Sequence, residues 1–292
     1  MRRFLAITRT AAIETMSQPL SAILFPVSML AVHLLPALQY HRFGAPGRLA
    51  RETGLSSLFV FGLLFAVPAA VHAVGRELET GTAATALALG VSRSLYLASR
   101  LFGVIAVFIL FFVGVLASTV LSSFSCIKAA SIFTGESVTR VWGPAFAIGI
   151  SGALMAFVVA AALNRFMNRR FCLWTCLLAV GFQLPGIALL DSVESAVSAM
   201  PAFVALAAAC MVYVVMAGAL ATRLKVNGVT ACVAVAVAMG FLAPVRFLVP
   251  DMCVFWLAEG DTSAAMPVVS GLCLAALWLL AGCISLERKE LE

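Results

Sequence analysis

One hydrophilic stretch in an otherwise apolar chain holds residue types that could do chemistry at an interface. It begins Arg76-Glu77-Leu78-Glu79-Thr80-Gly81-Thr82 and continues through Ala83 to Gly90. It ends Val91-Ser92-Arg93-Ser94-Leu95-Tyr96-Leu97-Ala98-Ser99-Arg100. Carboxylates, hydroxyls and guanidinium groups set this closely can pair with complementary groups on a partner surface, and the stretch is too short to cross lipid. Two short helical pieces are expected, broken near Gly90. The first would cap at Thr80 or Thr82 and present Leu87 with Ala83 and Ala84 on one face. The second would start at Ser92 and lead through Leu95, Tyr96 and Arg100 into the next apolar run. The plainer alternative makes Glu77 and Glu79 a solvated loop face, Gly81 a turn glycine and Arg93 a simple charge anchor.

Other chemistry is hard to find. No G-x-x-x-x-G-K-[ST] run occurs, so ATP hydrolysis by this chain is not expected, and no H-E-x-x-H occurs. Cys172, Cys176, Cys210, Cys232, Cys273 and Cys283 lie inside apolar runs, where cysteine packs as a small hydrophobe. Cys172 and Cys176 share a helix face, but no His, Asp or Glu stands near to complete a metal site. Cys126 and Cys253 fall in expected outer loops and could pair there. His33, Gln183 and Arg246 sit within apolar runs. They could line a substrate path, or serve as helix-to-helix hydrogen bonders and, for Arg246, a snorkelling partner of Asp251. No catalytic residue, metal or cofactor is expected, and the chain reads as no enzyme.

The elements that must position these residues follow from composition. Of 292 residues, 63% are apolar and 11% charged, with a net charge of +6. A soluble domain carries about 25% charge. Too much apolar surface is present for one core to hide, so lipid must cover part of it. A nucleic-acid binder, a disulfide scaffold and a disordered chain are all disfavoured. Eight stretches are long enough to cross a bilayer as helices: Pro19 to Pro36, Gly54 to Gly75, Leu101 to Leu121, Gly143 to Leu163, Cys172 to Leu190, Pro201 to Ala221, Val226 to Val249 and Ser263 to Leu286. Of the 32 charged residues, 31 lie outside them, the exception being Arg246. The expected class is an all-α polytopic membrane protein with about eight spans, or six plus a re-entrant pair. Residues 19–292 form one transmembrane domain. Gly152, Ala156 and Ala160, with Gly149 and Ala153, have the small-xxx-small spacing of close helix packing.

Thirteen Lys and Arg fall on the side of the N-terminus and six on the other, which places both termini inside. Residues 1–18 are expected to form an amphipathic helix lying in the inner interface. Phe4, Ile7 and Ala11 make one face, Arg2 and Arg9 the other, and Glu14 falls near the boundary.

The run from Arg76 to Thr82, followed by Ala86-Leu87-Ala88-Leu89-Gly90-Val91-Ser92-Arg93 and Leu95-Tyr96-Leu97, resembles the cytoplasmic loop of type-two ABC transporter permeases. The likeness covers residues 76–100, and the amphipathic N-terminal helix agrees with it. It implies a permease subunit of a transporter in the bacterial inner membrane, an exporter. The subunit would pair with a second copy or a paralogue, and dock a separate cytosolic ATPase on the loop after span two. Glu77, Glu79, Gly81 and Thr82 would then be coupling residues, and Arg93 would cap or anchor the second helical piece. The family usually has six spans, where this chain reads as eight. An ion-driven secondary transporter is the alternative; it would need midspan charges and inverted repeats, and neither is evident.

Overall fold

The computed structural model describes residues 2–38, 46–81, 83, 87–88, 90–124, 127–130, 137–140, 144–188, 194–242 and 265–288. The N-terminal helix α1 (Arg2–Met16) is followed by α2 (Pro19–Leu38) and α3 (Pro46–Val71). A π-helical turn, His72–Arg76, and a single α-turn, Glu77–Glu79, prolong α3. Helix α4 (Arg93–Phe124) leads to a two-stranded antiparallel ribbon, β1 (Ile127–Ala130) with β2 (Ser137–Arg140), in which Ile127 faces Arg140. Then come α5 (Pro144–Met167), α6 (Phe171–Ala188), α7 (Glu194–Leu220), α8 (Val226–Leu242) and α9 (Ala265–Glu287). The ribbon is the one described departure from the all-helical expectation.

Six described helices are long and apolar enough to cross a membrane: Pro19–Pro36, Leu49–Glu79, Arg93–Ser123, Ala145–Met167, Met200–Leu220 and Val268–Glu287. The chain is thus a multi-pass membrane protein. The expected fifth and seventh spans are also helical, with shorter described apolar portions, Phe171–Gly186 and Asn227–Ala238. Val158 on α5 and Leu277 on α9 are both 60% exposed, as large apolar side chains facing lipid are.

The helices fall into two compact units. The first comprises Met1–Thr15, Gly62–Phe108 and Val204–Glu292; the second comprises Met16–Phe61 and Ile109–Phe203. In the first unit α7 is buried nearly all round, from Ala205 through Tyr213 to Ala217. Small residues let its neighbours approach: an added Cβ at Gly282 would lie 2.9 Å from Ala219 Cβ, and one at Gly271 3.4 Å from Ala208 Cβ.

In the second unit α2, α5 and α6 pack together. Ala153, Ala156 and Ala160 of α5 are fully buried, and a Cβ at Gly152 would sit 3.2 Å from Phe182 Cβ, as the small-residue spacing predicts. Phe25 and Phe111 meet edge-to-face at 5.1 Å. Ser122 Oγ donates to the Val32 carbonyl at 3.0 Å. The turn between α5 and α6 closes on Asn168 in the left-handed region (φ 51°), with the Arg169 amide bonded to the Leu163 carbonyl at 3.3 Å.

Candidate functional site

The candidate site lies wholly in the first unit, where the end of α3, the start of α4 and the helix α1 converge. Ser92 begins α4 as expected: its hydroxyl accepts from the Leu95 amide at 3.3 Å, an N-cap. Gly90 ends the preceding piece with φ 77°, a conformation that a side chain resists, and its amide bonds to the Leu87 carbonyl. Ala83, Leu87 and Ala88 are helical. The second expected piece is not separate, because α4 runs unbroken from Arg93 into the membrane. The Thr80 hydroxyl donates back to the Arg76 carbonyl at 2.9 Å.

Arg100 organises the site. Its side chain is only 8% exposed. One guanidinium nitrogen donates to Glu14 Oε2 at 2.6 Å, and another pairs with Glu77 Oε1. Tyr96 is buried one helical turn earlier; its hydroxyl donates to the other Glu77 oxygen, and its ring lies 5.8 Å from the Arg100 guanidinium carbon. Thus one guanidinium joins carboxylates from α1 and from the end of α3, and Glu77 is held by two side chains of α4. A charge this deep persists because it is paired and hydrogen-bonded.

Close packing backs the ion pairs. A Cβ at Gly103 would come 2.6 Å from Ala11 Cβ and 2.7 Å from the Thr8 carbonyl, so α1 lies directly on α4. Phe4 meets Phe102 edge-on at 5.6 Å, and Arg3 donates to the Gly90 carbonyl at 3.2 Å. Ala11 and Thr15 are buried while Arg2 and Arg9 are exposed, which matches the amphipathic pattern.

The expected coupling residues separate into two groups. Glu77 turns inward, with a side chain 19% exposed; Glu79, Thr80 and Gly81 face outward, Gly81 at φ 72°. Thr82 lies outside the described residues. Arg93 donates to the carbonyls of Leu286 (3.3 Å) and Glu287 (2.9 Å), capping the end of α9. Next to this cap, Ser285 Oγ accepts from Arg223 Nε at 2.7 Å and bonds Thr222 Oγ1 at 2.9 Å.

The residues expected along a substrate path lie elsewhere. Arg246, like Cys126 and Cys253, is outside the described residues. His33 and Gln183 are buried in the second unit, with His33 Nε2 3.4 Å from Gln183 Oε1. Gln183 Nε2 donates to the Gly149 carbonyl at 3.0 Å, so α2, α5 and α6 are joined by one short chain of polar groups. This is the helix-to-helix bonding role foreseen for both side chains.

Sequence reasoning missed the centre of the site. The sequence places Arg100 at the inner surface, Tyr96 with it on the second helical piece and Glu14 near the boundary of an amphipathic helix, but does not join the three. The available signal was the joint oddity of Glu14 near an apolar face and an arginine at the very edge of a span. Matched against protein-family models, curated proteins and solved structures, the chain finds no counterpart in any of the three.

Proposed function

We propose that the chain is the membrane-spanning permease subunit of an ATP-driven exporter resembling the type-two ABC class. A separate cytosolic ATPase docks on the segment between α3 and α4. The observation that carries this reading is the division of labour within that segment. Its tip, Glu79 to Gly81, is exposed, while its base is bolted through Glu77, Tyr96 and Arg100 to the first turns of a long spanning helix and to α1. A push on the tip would reach α4 without being lost in a slack loop. The same reading puts both termini in the cytoplasm of a bacterial cell and pairs the subunit with a second copy or a paralogue.

Although the resembled family usually has six, we propose eight crossings, from where the helix ends meet. Ser285 near the end of α9 meets Thr222 and Arg223 just past α7, so both helices finish at one end of their unit. The chain leaving α7 must therefore reach the opposite end before α9 begins. Helix α8, 17 residues and about 25 Å long, is the described element that makes this passage. In the second unit, Cys176 near the start of α6 approaches the carbonyl of Met16 ahead of α2, and Gln183 farther along α6 meets His33 farther along α2. Helix α6 thus accompanies α2 across.

The test is co-purification of the tagged chain with an ABC-type ATPase from native membranes, followed by nucleotide hydrolysis by the complex. Glu79→Lys should weaken association, whereas Glu77→Gln should leave association intact and depress transport-linked hydrolysis. Undiminished association and hydrolysis with Glu79→Lys would contradict the docking assignment.

A further inference from the structure

The turn that aims Glu77 at Arg100 is not α-helical. His72–Arg76 forms a π-turn between α3 and the single turn Glu77–Glu79. A π-turn holds one residue more than an α-turn, so every residue after it is set back by one position relative to an unbroken α-helix. Glu77 consequently occupies the direction that residue 76 would hold in a regular helix. Its carboxylate meets Arg100 and Tyr96 there, while Arg76 points outward and donates to His72 Nε2 at 2.9 Å.

We propose that the π-turn is a register switch that exchanges Glu77 for Arg76 in front of Arg100. Relaxation to α geometry turns the residues after the bulge by about 100° and carries the Glu77 carboxylate about 8 Å around the helix. That distance is beyond ion-pair reach. Arg76 moves into the vacated direction, so the attraction on Arg100 becomes a repulsion between two guanidinium groups. Glu14 is then the remaining partner of Arg100, so α1 stays tied to α4 while the bolt holding the end of α3 to α4 is released. The neighbouring chain can absorb the movement: Gly81 is in the left-handed region, and no described atom lies within 4 Å of where its Cβ would be. The inference does not depend on which partner acts on the exposed tip.

The test is hydrogen exchange of the amides from His72 to Glu79 in the full chain, in nanodiscs of phosphatidylethanolamine and phosphatidylglycerol, with the buried α7 amides as a check on folding. Glu77→Gln should speed exchange in this segment by about tenfold, as expected for loss of a charge-assisted bond. Adding Arg76→Glu to Glu77→Gln should restore its protection, because relaxation brings the new carboxylate before Arg100. Deleting Ala73 removes the extra residue and fixes Glu77 in place; the segment should stay protected, and in that background Arg76→Glu should not rescue Glu77→Gln. Failure of the rescue in the full-length turn would overturn the proposal, and so would a rescue that survives the deletion. Should the deletion chain not fold, rescue in the full-length turn decides alone.

Discussion

Replacing Arg100 by Met should be the most damaging change at the candidate site, and its cost should collapse when Glu77 is changed with it. Arg100 is buried, and its guanidinium serves two carboxylates of unequal burial: Glu14 is 50% exposed and Glu77 19%. Methionine keeps the unbranched stem but takes the guanidinium away from the enclosed Glu77, which keeps the bond from the Tyr96 hydroxyl. Stranding one member of a buried pair costs about 3–5 kcal/mol. Glu77→Gln leaves Arg100 its bond to Glu14 and should cost about 1.5–3 kcal/mol. Glu14→Gln, at a half-exposed carboxylate, should cost about 1 kcal/mol or less. The double variant Arg100→Met with Glu77→Gln removes the stranded charge together with its partner, so its cost should fall short of the summed single costs by about 2 kcal/mol. Equilibrium unfolding in lipid bicelles, read on all four members of the cycle, measures this directly. Single costs that add to within about 0.5 kcal/mol would refute the reasoning. A Glu14→Gln cost exceeding that of Glu77→Gln would do the same.

Three further outcomes follow from contacts elsewhere. Gly103→Ala should lift α1 from α4, because the added methyl meets Ala11 and the Thr8 carbonyl; a loss of about 1–3 kcal/mol and faster proteolysis within α1 are expected, with an unchanged digestion pattern as the contrary result. Arg93→Ala uncovers the Leu286 and Glu287 carbonyls, and amide exchange at the end of α9 should rise while α7 stays protected. Gly149→Ala drives a methyl into the His33 ring and should lower the melting temperature; His33→Ala in the same chain should recover part of the loss, and an absence of recovery would show that the crowding lies elsewhere.

Much of the fold was legible because lipid imposes a simple rule. Charges are expelled from spans, so 32 charged residues outline the helices well; each of the eight expected spans overlaps a described helix, and six of those helices are long and apolar enough to cross a membrane. Local rules also worked where the partner is near in sequence: Ser92 caps α4 three residues ahead of Leu95, and Gly90 breaks the segment before it. They failed where the partner is distant. Arg100 bonds a carboxylate 86 residues away in α1, and Arg93 caps carbonyls almost 200 residues later, distances that no local pattern encodes. The π-turn was equally hidden, since His72-Ala73-Val74-Gly75-Arg76 has no residue that forbids an ordinary α-helix. Placing the end of span two at Gly75 and the start of span three at Leu101 therefore overstated the loop. The helix of span two continues through Glu79 on one side, and that of span three begins at Arg93 on the other.

The account stands or falls on what the exposed tip of that segment touches in the cell. A photo-crosslinking amino acid at position 79, with adducts identified by mass spectrometry, measures this most directly. The predicted result is an adduct with an ABC-type ATPase whose yield changes when ATP is depleted, together with no such adduct from position 77. Adducts confined to lipid or to proteins of the opposite compartment would contradict it.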